Sequence, residues 1–389
     1  MYLRNLQTEL LKLAEKWCVI SVTGPRQSGK TTLCKTAFPT YKYVNLEDIP
    51  TRFEVQKDPS AFLRAFPNGL IIDEAQLIPQ LFSYVQVFVD EDQSRRIVLS
   101  GSNDFLLMKS ITQSLAGRVA VLRLLPLALS ELGDISKIST NELIYKGFFP
   151  AIWGNGREVG YVLESYLSTY VERDLRQIVN IKDLELFRKY ITLCAVRIGS
   201  EFNATALSNE LGISVITAKE WFRILQTSYV CYELQPFFRN IGKRLVKTPK
   251  IYFYDVGLVC YLLGIQSPGQ VATHPLRGNL FENLVVTEML KNRYNKGKRS
   301  NLYFYRDKGQ HEVDVLQEYG NELRAYEIKS ATAINSDFFS NLKYIKSLLG
   351  DTLLSTQVLY DGDRDWDMPE NGYINFRHWQ ENDPWAKGE

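Results

Sequence analysis

Cysteine is scarce and poorly placed for chemistry. Five residues, Cys18, Cys34, Cys194, Cys231 and Cys260, are scattered along a chain of 389. No pair has C-x-x-C spacing, which speaks against a zinc ribbon, and the odd count speaks against a disulfide framework. Free thiols in apolar surroundings fit a reducing cytoplasm, so a cytoplasmic location is expected. Histidine is scarcer still: His274, His311 and His378 stand alone, and none reads as a metal ligand. The net charge is only +2, so the chain is no polycation, and any nucleic-acid binding must come from local patches. The longest apolar run, near Val256–Ile265, is far short of the roughly 20 residues a membrane helix needs. No membrane partner is expected. The opening stretch MYLRNLQTELLKLAEKW holds Glu9, Lys12, Glu15 and Lys16 in an amphipathic pattern, unlike a signal peptide. Neither low-complexity segments nor internal repeats occur.

What is present is a globular composition over a length that suggests roughly two or three domains. Val19–Val22 is an apolar, β-branched run typical of a buried parallel strand. Gly24, Pro25, Arg26, Gln27, Ser28, Gly29, Lys30 and Thr31 follow and fit G-x-x-x-x-G-K-[ST], with Thr32 next. Glycines let the backbone curl so that N–H groups face phosphates, and the following helix adds its positive end. Lys30 is placed to reach the β- and γ-phosphates, and Thr31 to offer a hydroxyl to Mg²⁺. A second buried strand, Leu70–Ile72, ends in Asp73 and Glu74. Ligands of open α/β sheets bind at that edge. Asp73 is expected in the Mg²⁺ shell and Glu74 to polarise the attacking water. The alternative is a capping acid pair before a helix near Pro79. A third strand, RRIVLSGSNDF, ends in Ser102 and Asn103, either of which is a candidate γ-phosphate sensor. A helix is predicted from about 104 to 116. Arg118 then precedes a further strand. It is either a surface arginine or a residue that stabilises transition-state charge on a neighbouring subunit's nucleotide.

These residues resemble an AAA+ ATPase core. More closely, Gly24–Thr31 (GPRQSGKT), Ile72–Gln76 (IDEAQ) and Leu115–Arg118 (LAGR) resemble a large prokaryotic family of AAA-like ATPases. YLSTYVERDL and GNLFEN are also similar to stretches of that family. The resemblance implies ATP and Mg²⁺ as cofactors and a C-terminal domain of unknown function with a restriction-endonuclease-like fold.

Residues 126–179 read as helical, with apolar spacing that suits a small lid. Glu172, Arg173 and Asp174 fit a solvated helical face. NATALSNELGISVITAKEWFRILQ then has helix-turn-helix grammar: a helix ending at Gly212 and a second one capped by Ser214. A strand pair follows, joined by a segment holding Arg239, Lys243, Arg244, Lys247 and Lys250 and no acid. This reads as a winged helix with a basic wing. Trp221, Phe222, Ile224 and Leu225 occupy the second helix with core packing, so protein docking competes with DNA contact.

In the last third, RAYEIKSA alternates so that Glu327 and Lys329 share one face of a strand. Asp314 lies on an earlier strand, and Glu282 on a helix before that. Asp, Glu-x-Lys and an upstream helical Glu, in that order, resemble the PD-(D/E)xK nuclease arrangement. The residue before Asp314 departs from it: Val313 stands where that pattern has proline. Asp314 and Glu327 are expected to share a divalent ion with Glu282 completing the shell, and Lys329 to orient water. Glu312 is a spare acid on the same strand. The alternative is a solvated sheet face. The basic run Lys291, Arg293, Lys296, Lys298, Arg299 suits a nucleic-acid backbone or a solvated loop equally.

The expected architecture is α/β. It comprises an AAA+-like core over 1–135, a helical lid over 136–185, a winged helix over 186–268 and a nuclease-like α/β domain over 269–389. The expected function is a Mg²⁺-dependent, homo-oligomeric ATPase that repositions its C-terminal half, acting on DNA or other nucleic acid. The alternative is a non-nucleolytic ATP-switched regulator.

Overall fold

The structure is a computed structural model that describes residues 2–102, 104–154, 156–171, 183–238, 247–366 and 371–382. Asn103, Glu172, Arg173 and Asp174 lie outside the described residues, as do Arg239, Lys243 and Arg244 of the expected wing.

Five strands form the first sheet: β1 Val19–Thr23, β2 Lys42–Asn45, β3 Leu70–Asp73, β4 Ile97–Gly101 and β5 Val119–Arg123. They pair in parallel in the order β2-β3-β4-β1-β5. Every residue of β1, β3 and β4 is buried, as a parallel sheet covered on both faces requires. Alternation splits the apolar residues between two cores. Ile20, Val22, Ile71 and Val98 pack on helices α1 (Leu6–Ala14) and α2 (Lys30–Ala37). Val19, Ile72, Ile97 and Leu99 pack on Val85 and Phe88 of the helix Leu81–Glu91. The order sets the carboxyl ends of β1 and β3 on either side of β4. The loop after β1 and the acids after β3 therefore meet over one edge.

Seven strands form the second sheet: β6 Cys231–Pro236, β7 Lys250–Phe253, β8 Leu302–Arg306, β9 Glu312–Tyr319, β10 Glu322–Lys329, β11 Leu353–Tyr360 and β12 Asn371–Asn375. The order is β12-β11-β10-β9-β8-β6-β7. β6 joins β8 in parallel through Gln235↔Tyr303 and Pro236↔Phe304. The strand pair that follows the helix-turn-helix thus continues the sheet that carries Asp314 and Glu327, and the sheet crosses the expected 268/269 boundary. A two-stranded ribbon buries too little to stand alone, and joining β8 supplies the missing cover. One hydrophobic core runs from Leu125 to Trp379. It takes in Leu143, Ile152 and Leu163 of the expected lid, Trp221 and Phe222 of the helix-turn-helix, and Phe281 and Val286 of the long helix Arg277–Asn295.

The helix-turn-helix has the expected local grammar. Ala204–Leu211 stops at Gly212, whose φ of +66° suits glycine. Ser214 then accepts from the Thr217 N–H at 3.0 Å to start Val215–Thr227. Among the described residues, no helix is long and apolar enough to cross a membrane.

Candidate functional site: a nucleotide cradle and a buried acid–lysine cluster

The cradle departs from the end of β1. Gly24 has φ +148°, and a Cβ there would lie 2.1 Å from the Leu124 carbonyl oxygen, so no other residue fits. Gln27 and Gly29 also have positive φ, at 61° and 95°. Gly29 brings no side-chain cap to α2, leaving the first N–H groups of that helix facing the loop. Lys30 is buried and folds back, donating to the Gly24 and Pro25 carbonyls at 2.9 and 2.8 Å. Burial pulls its pKa down, while Glu74 and Asp73 pull it up less strongly. The Ser28 hydroxyl is buried without a hydrogen-bond partner. Arg26 pairs with Glu47 at 3.0 Å on the rim. Beside Gly29 and Thr32 opens a cavity of about 250 Å³ that Tyr2, Arg4, Pro150 and Ala151 also line.

Thr31 donates to Asp73 Oδ2 at 2.6 Å, which brings the two expected Mg²⁺ ligands together. Tyr43 donates to the same oxygen at 2.9 Å, and Ser100 to Oδ1 at 2.5 Å. Glu74 stands next door with φ +53°, a left-handed conformation strained for a glutamate. Gln76 and Ser102 hold its Oε2 at 2.5 and 3.1 Å. The capping alternative does not describe this pair. Neither carboxylate caps a helix: a 3₁₀ turn, Ala75–Leu77, intervenes, and the next helix begins at Leu81 without a side-chain cap. Arg118 precedes β5 at the amino end of the parallel strands, opposite the cradle, and is half-buried with its Nε 2.7 Å from Asp90 Oδ1.

The second cluster lies in the other sheet. Asp314 is 8% exposed and Glu327 is 2% exposed, which rules out a solvated sheet face. Lys329 Nζ reaches both, at 3.5 Å from Asp314 Oδ2 and 2.5 Å from Glu327 Oε2. Asp314 Oδ2 also accepts from the Ile328 N–H at 2.7 Å. Among the described residues, no N–H or hydroxyl reaches the buried Glu327 Oε1, and the Glu327 carboxyl lies within hydrogen-bond reach of Asp314. Burial, reinforced by the nearby Asp314 charge, pushes the Glu327 carboxyl up to about 9. Burial also disfavours the Asp314 charge, but Lys329, Lys250 and the Ile328 N–H outweigh it and hold that carboxyl below its ordinary value.

Glu282 lies on the long helix Arg277–Asn295 as expected, but it has its own cation. Lys250 Nζ is 3.1 Å from Glu282 Oε1 and 2.6 Å from Glu312 Oε1, and Tyr252 donates to Glu282 at 2.5 Å. Arg306 links Glu312 to Glu201 at 3.4 and 3.0 Å. Among the described residues, no group of three or more His, Cys, Asp or Glu converges tightly enough to hold a metal ion. The expected set of Glu282, Asp314 and Glu327 is therefore not assembled as a three-carboxylate cage. The physical reason is Lys250, whose buried ammonium draws Glu282 to itself.

Sequence reasoning missed several of these residues. Lys250 and Tyr252 were visible only as part of a basic segment and a strand, although strand alternation puts both on one face. Ser100 sits near the carboxyl end of β4, where ligands of such sheets bind, and Tyr43, the second residue of β2, reaches the same edge with its hydroxyl. Arg4 carried no signal. It is buried and donates to the Ser28 carbonyl at 2.5 Å and the Leu125 carbonyl at 2.7 Å, while pairing with Glu131 at 3.0 Å. It thereby fixes α1 against the cradle.

Three family matches divide the chain: an AAA domain over residues 16–133, a domain of unknown function (DUF8612) over 137–269, and another (DUF4143) over 277–379. A Mycobacterium tuberculosis protein described only as uncharacterised is 29% identical over 329 residues, covering 84% of this chain and 73% of that protein. An uncharacterised Haemophilus influenzae protein is 21% identical over 384 residues, covering 88% of this chain and 90% of that protein. A solved Walker-type ATPase of Pyrococcus abyssi is 12% identical with a TM-score of 0.46, covering 66% of this chain and 94% of that one. The AAA-domain match falls on the segment that carries the cradle, and together they support a P-loop ATPase.

Proposed function

We propose that this chain is a Mg²⁺-dependent ATPase whose hydrolysis cycle repositions a C-terminal half that acts on nucleic acid. The observation that carries the ATPase reading is Asp73, whose partners are three hydroxyls and one N–H, across from Lys30 and the uncapped start of α2. The Asp73 oxygens are held by neutral donors, which suits a carboxylate that takes a metal. The orphaned Ser28 hydroxyl and the glycine cradle suit a triphosphate. Thr31 and Asp73 would hold Mg²⁺, which supplies charge neutralisation at the β- and γ-phosphates. Lys30 exchanges two loop carbonyls for phosphate oxygens. Glu74 accepts a proton from, or orients, the attacking water, and Ser102 shares that carboxylate and so responds to the γ-phosphate. The cavity at Tyr2 and Arg4 takes the nucleoside end. Arg118 acts on a neighbouring copy's nucleotide in a homo-oligomer. The test is steady-state hydrolysis of ATP with and without Mg²⁺. Lys30→Ala should weaken nucleotide binding on the order of 100-fold, because a charge-assisted phosphate contact is lost.

For the C-terminal half, Asp314, Glu327 and Lys329 favour phosphodiester hydrolysis on DNA, with the winged-helix segment as the nucleic-acid contact. The specific observation is the close pairing of the buried Glu327 and Asp314 carboxyls, with no N–H or hydroxyl donor among the described residues on Glu327 Oε1. Those two carboxylates would hold a divalent cation that activates water, and Lys329 would offset phosphate charge. The competing reading is an ATP-switched docking protein. It is favoured by Lys250 and Lys329, which already balance much of the acidic charge. Incubation with linear, plasmid, single-stranded and branched DNA, with ATP and Mg²⁺ or Mn²⁺, separates the two. Cleavage lost in Asp314→Asn and Lys329→Ala supports the nuclease, and absence of cleavage on all four substrates supports the switch.

A further inference from the structure

Thr23 is the last residue of β1, directly before the first cradle glycine. Its hydroxyl lies 2.7 Å from the Tyr229 hydroxyl, and both groups are buried. Tyr229 belongs to the other half of the molecule, just past the helix Val215–Thr227. Its φ is +57°, a left-handed conformation that a tyrosine adopts only when its surroundings over-determine it. The surroundings are visible. Val230 N–H donates to the Leu225 carbonyl at 2.9 Å, and Tyr254 N–H to the Val230 carbonyl at 3.1 Å. The Tyr229 ring packs on Tyr254 with centroids 5.5 Å apart. From there the rings continue: Tyr254 to Tyr232 at 4.8 Å, and Tyr232 to Tyr252 at 5.7 Å. Tyr252 ends the series by donating to Glu282 at 2.5 Å. All four tyrosines are buried. An unbroken file of packed rings thus runs from the root of the nucleotide cradle to the acid–lysine cluster.

Packing alone does not explain this arrangement. A core needs the rings, and phenylalanine would supply them. The two terminal hydroxyls are instead aimed at polar groups of different sites, Thr23 and Glu282. The cradle root has little freedom to move independently, since Gly24 sits against the Leu124 carbonyl. We propose that Tyr229 is a positioning residue for nucleotide hydrolysis, holding the end of β1 from which the cradle departs and tying it through Tyr254, Tyr232 and Tyr252 to Glu282. This rests on the ATPase reading above. Occupancy of one site then shifts the other by the reciprocity of linked equilibria.

The test uses the full chain and five variants: Tyr229→Phe, Thr23→Val, the double variant of these two, and Tyr252→Phe with and without Tyr229→Phe. ATP dissociation constants, kcat, KM and melting temperature are measured for each. Loss of one neutral hydrogen bond at the cradle root should lower kcat by roughly 3- to 10-fold, with KM changed less and melting temperature little changed. The double variant should be no worse than either single one, because the two hydroxyls act as a pair. Tyr252→Phe should shift the kinetics in the same direction and have no further effect in the Tyr229→Phe background. A wild-type chain that binds but does not hydrolyse ATP would refute the ATPase reading and with it any role of Tyr229 in hydrolysis, whereas an active wild type leaves the kinetics of the variants to decide on Tyr229 alone. Wild-type constants in Tyr229→Phe would overturn the positioning role. Additive effects of Tyr229→Phe and Tyr252→Phe would overturn the link to Glu282.

Discussion

At the nucleotide cradle Asp73 is surrounded by hydroxyls, whereas in the acid–lysine cluster Glu282, Asp314 and Glu327 each already touch an ammonium. The contrast separates two ways of keeping carboxylates inside a protein. Hydroxyls satisfy lone pairs but leave the charge in place, so the site stays attractive to an external cation. Lysines neutralise the charge and let the fold form without one, at the cost of occupying the space a metal would need. On the function proposed above, the first site would take Mg²⁺ with nucleotide without breaking an ion pair, while the second would have to rearrange around Lys329 to take a divalent ion.

The comparison can be broken at its ion pairs. Arg118 and Asp90 form a solvent-screened surface pair, and Arg118→Ala should leave the melting temperature nearly unchanged. If Arg118 acts in trans, turnover should nonetheless fall on the order of 10³-fold. Mixing Arg118→Ala with Glu74→Gln subunits should restore part of it, and full turnover by a monomer would contradict the trans role. Lys250 is the buried counterpart. Lys250→Met leaves Glu282 and Glu312 without their shared cation and should cost roughly 3–5 kcal/mol in denaturant unfolding. A cost below about 1 kcal/mol would mean that the lysine is not what balances those acids.

A smaller effect follows from Glu327 and sharpens the contrast by pH. Its folded pKa is raised from the ordinary 4.5 to about 9, so the folded state keeps a proton that the unfolded chain has lost between those values. Stability contributed at this site is therefore present below pH 4.5 and falls as pH rises toward 9, by at most about 1.4 kcal/mol per pH unit. In chelator, Glu327→Gln should flatten that slope. An unchanged slope would show that Glu327 is ionised in the folded state. The smallest effect belongs to Tyr43. Tyr43→Phe removes one of three hydroxyls on Asp73 and should raise the Mg²⁺ concentration needed for half-maximal hydrolysis by roughly 2- to 10-fold. No change would leave Tyr43 a packing residue.

The two sites also differ in how far the sequence revealed them. The cradle was legible because its chemistry is contiguous: Gly24 to Thr31 follow one buried strand, and Asp73 and Glu74 end another. The order of strands in the sheet was not legible, so Tyr43 and Ser100 went unassigned. The second cluster was half legible. Strand alternation correctly paired Glu327 with Lys329 on one face, and the order of residues brought Asp314 to them. Lys250 escaped because its placement depends on β6 joining β8, a long-range pairing with no local signature. The same pairing merges the helix-turn-helix segment and the C-terminal strands into one core.

Whether Glu74 directs water at a phosphate held by the cradle is read from ATP binding and turnover by Glu74→Gln. Glu74→Gln should bind ATP in a Mg²⁺-dependent way within about twofold of wild type, with turnover reduced by roughly 100-fold or more. Hydrolysis at the wild-type rate in Glu74→Gln would contradict that role.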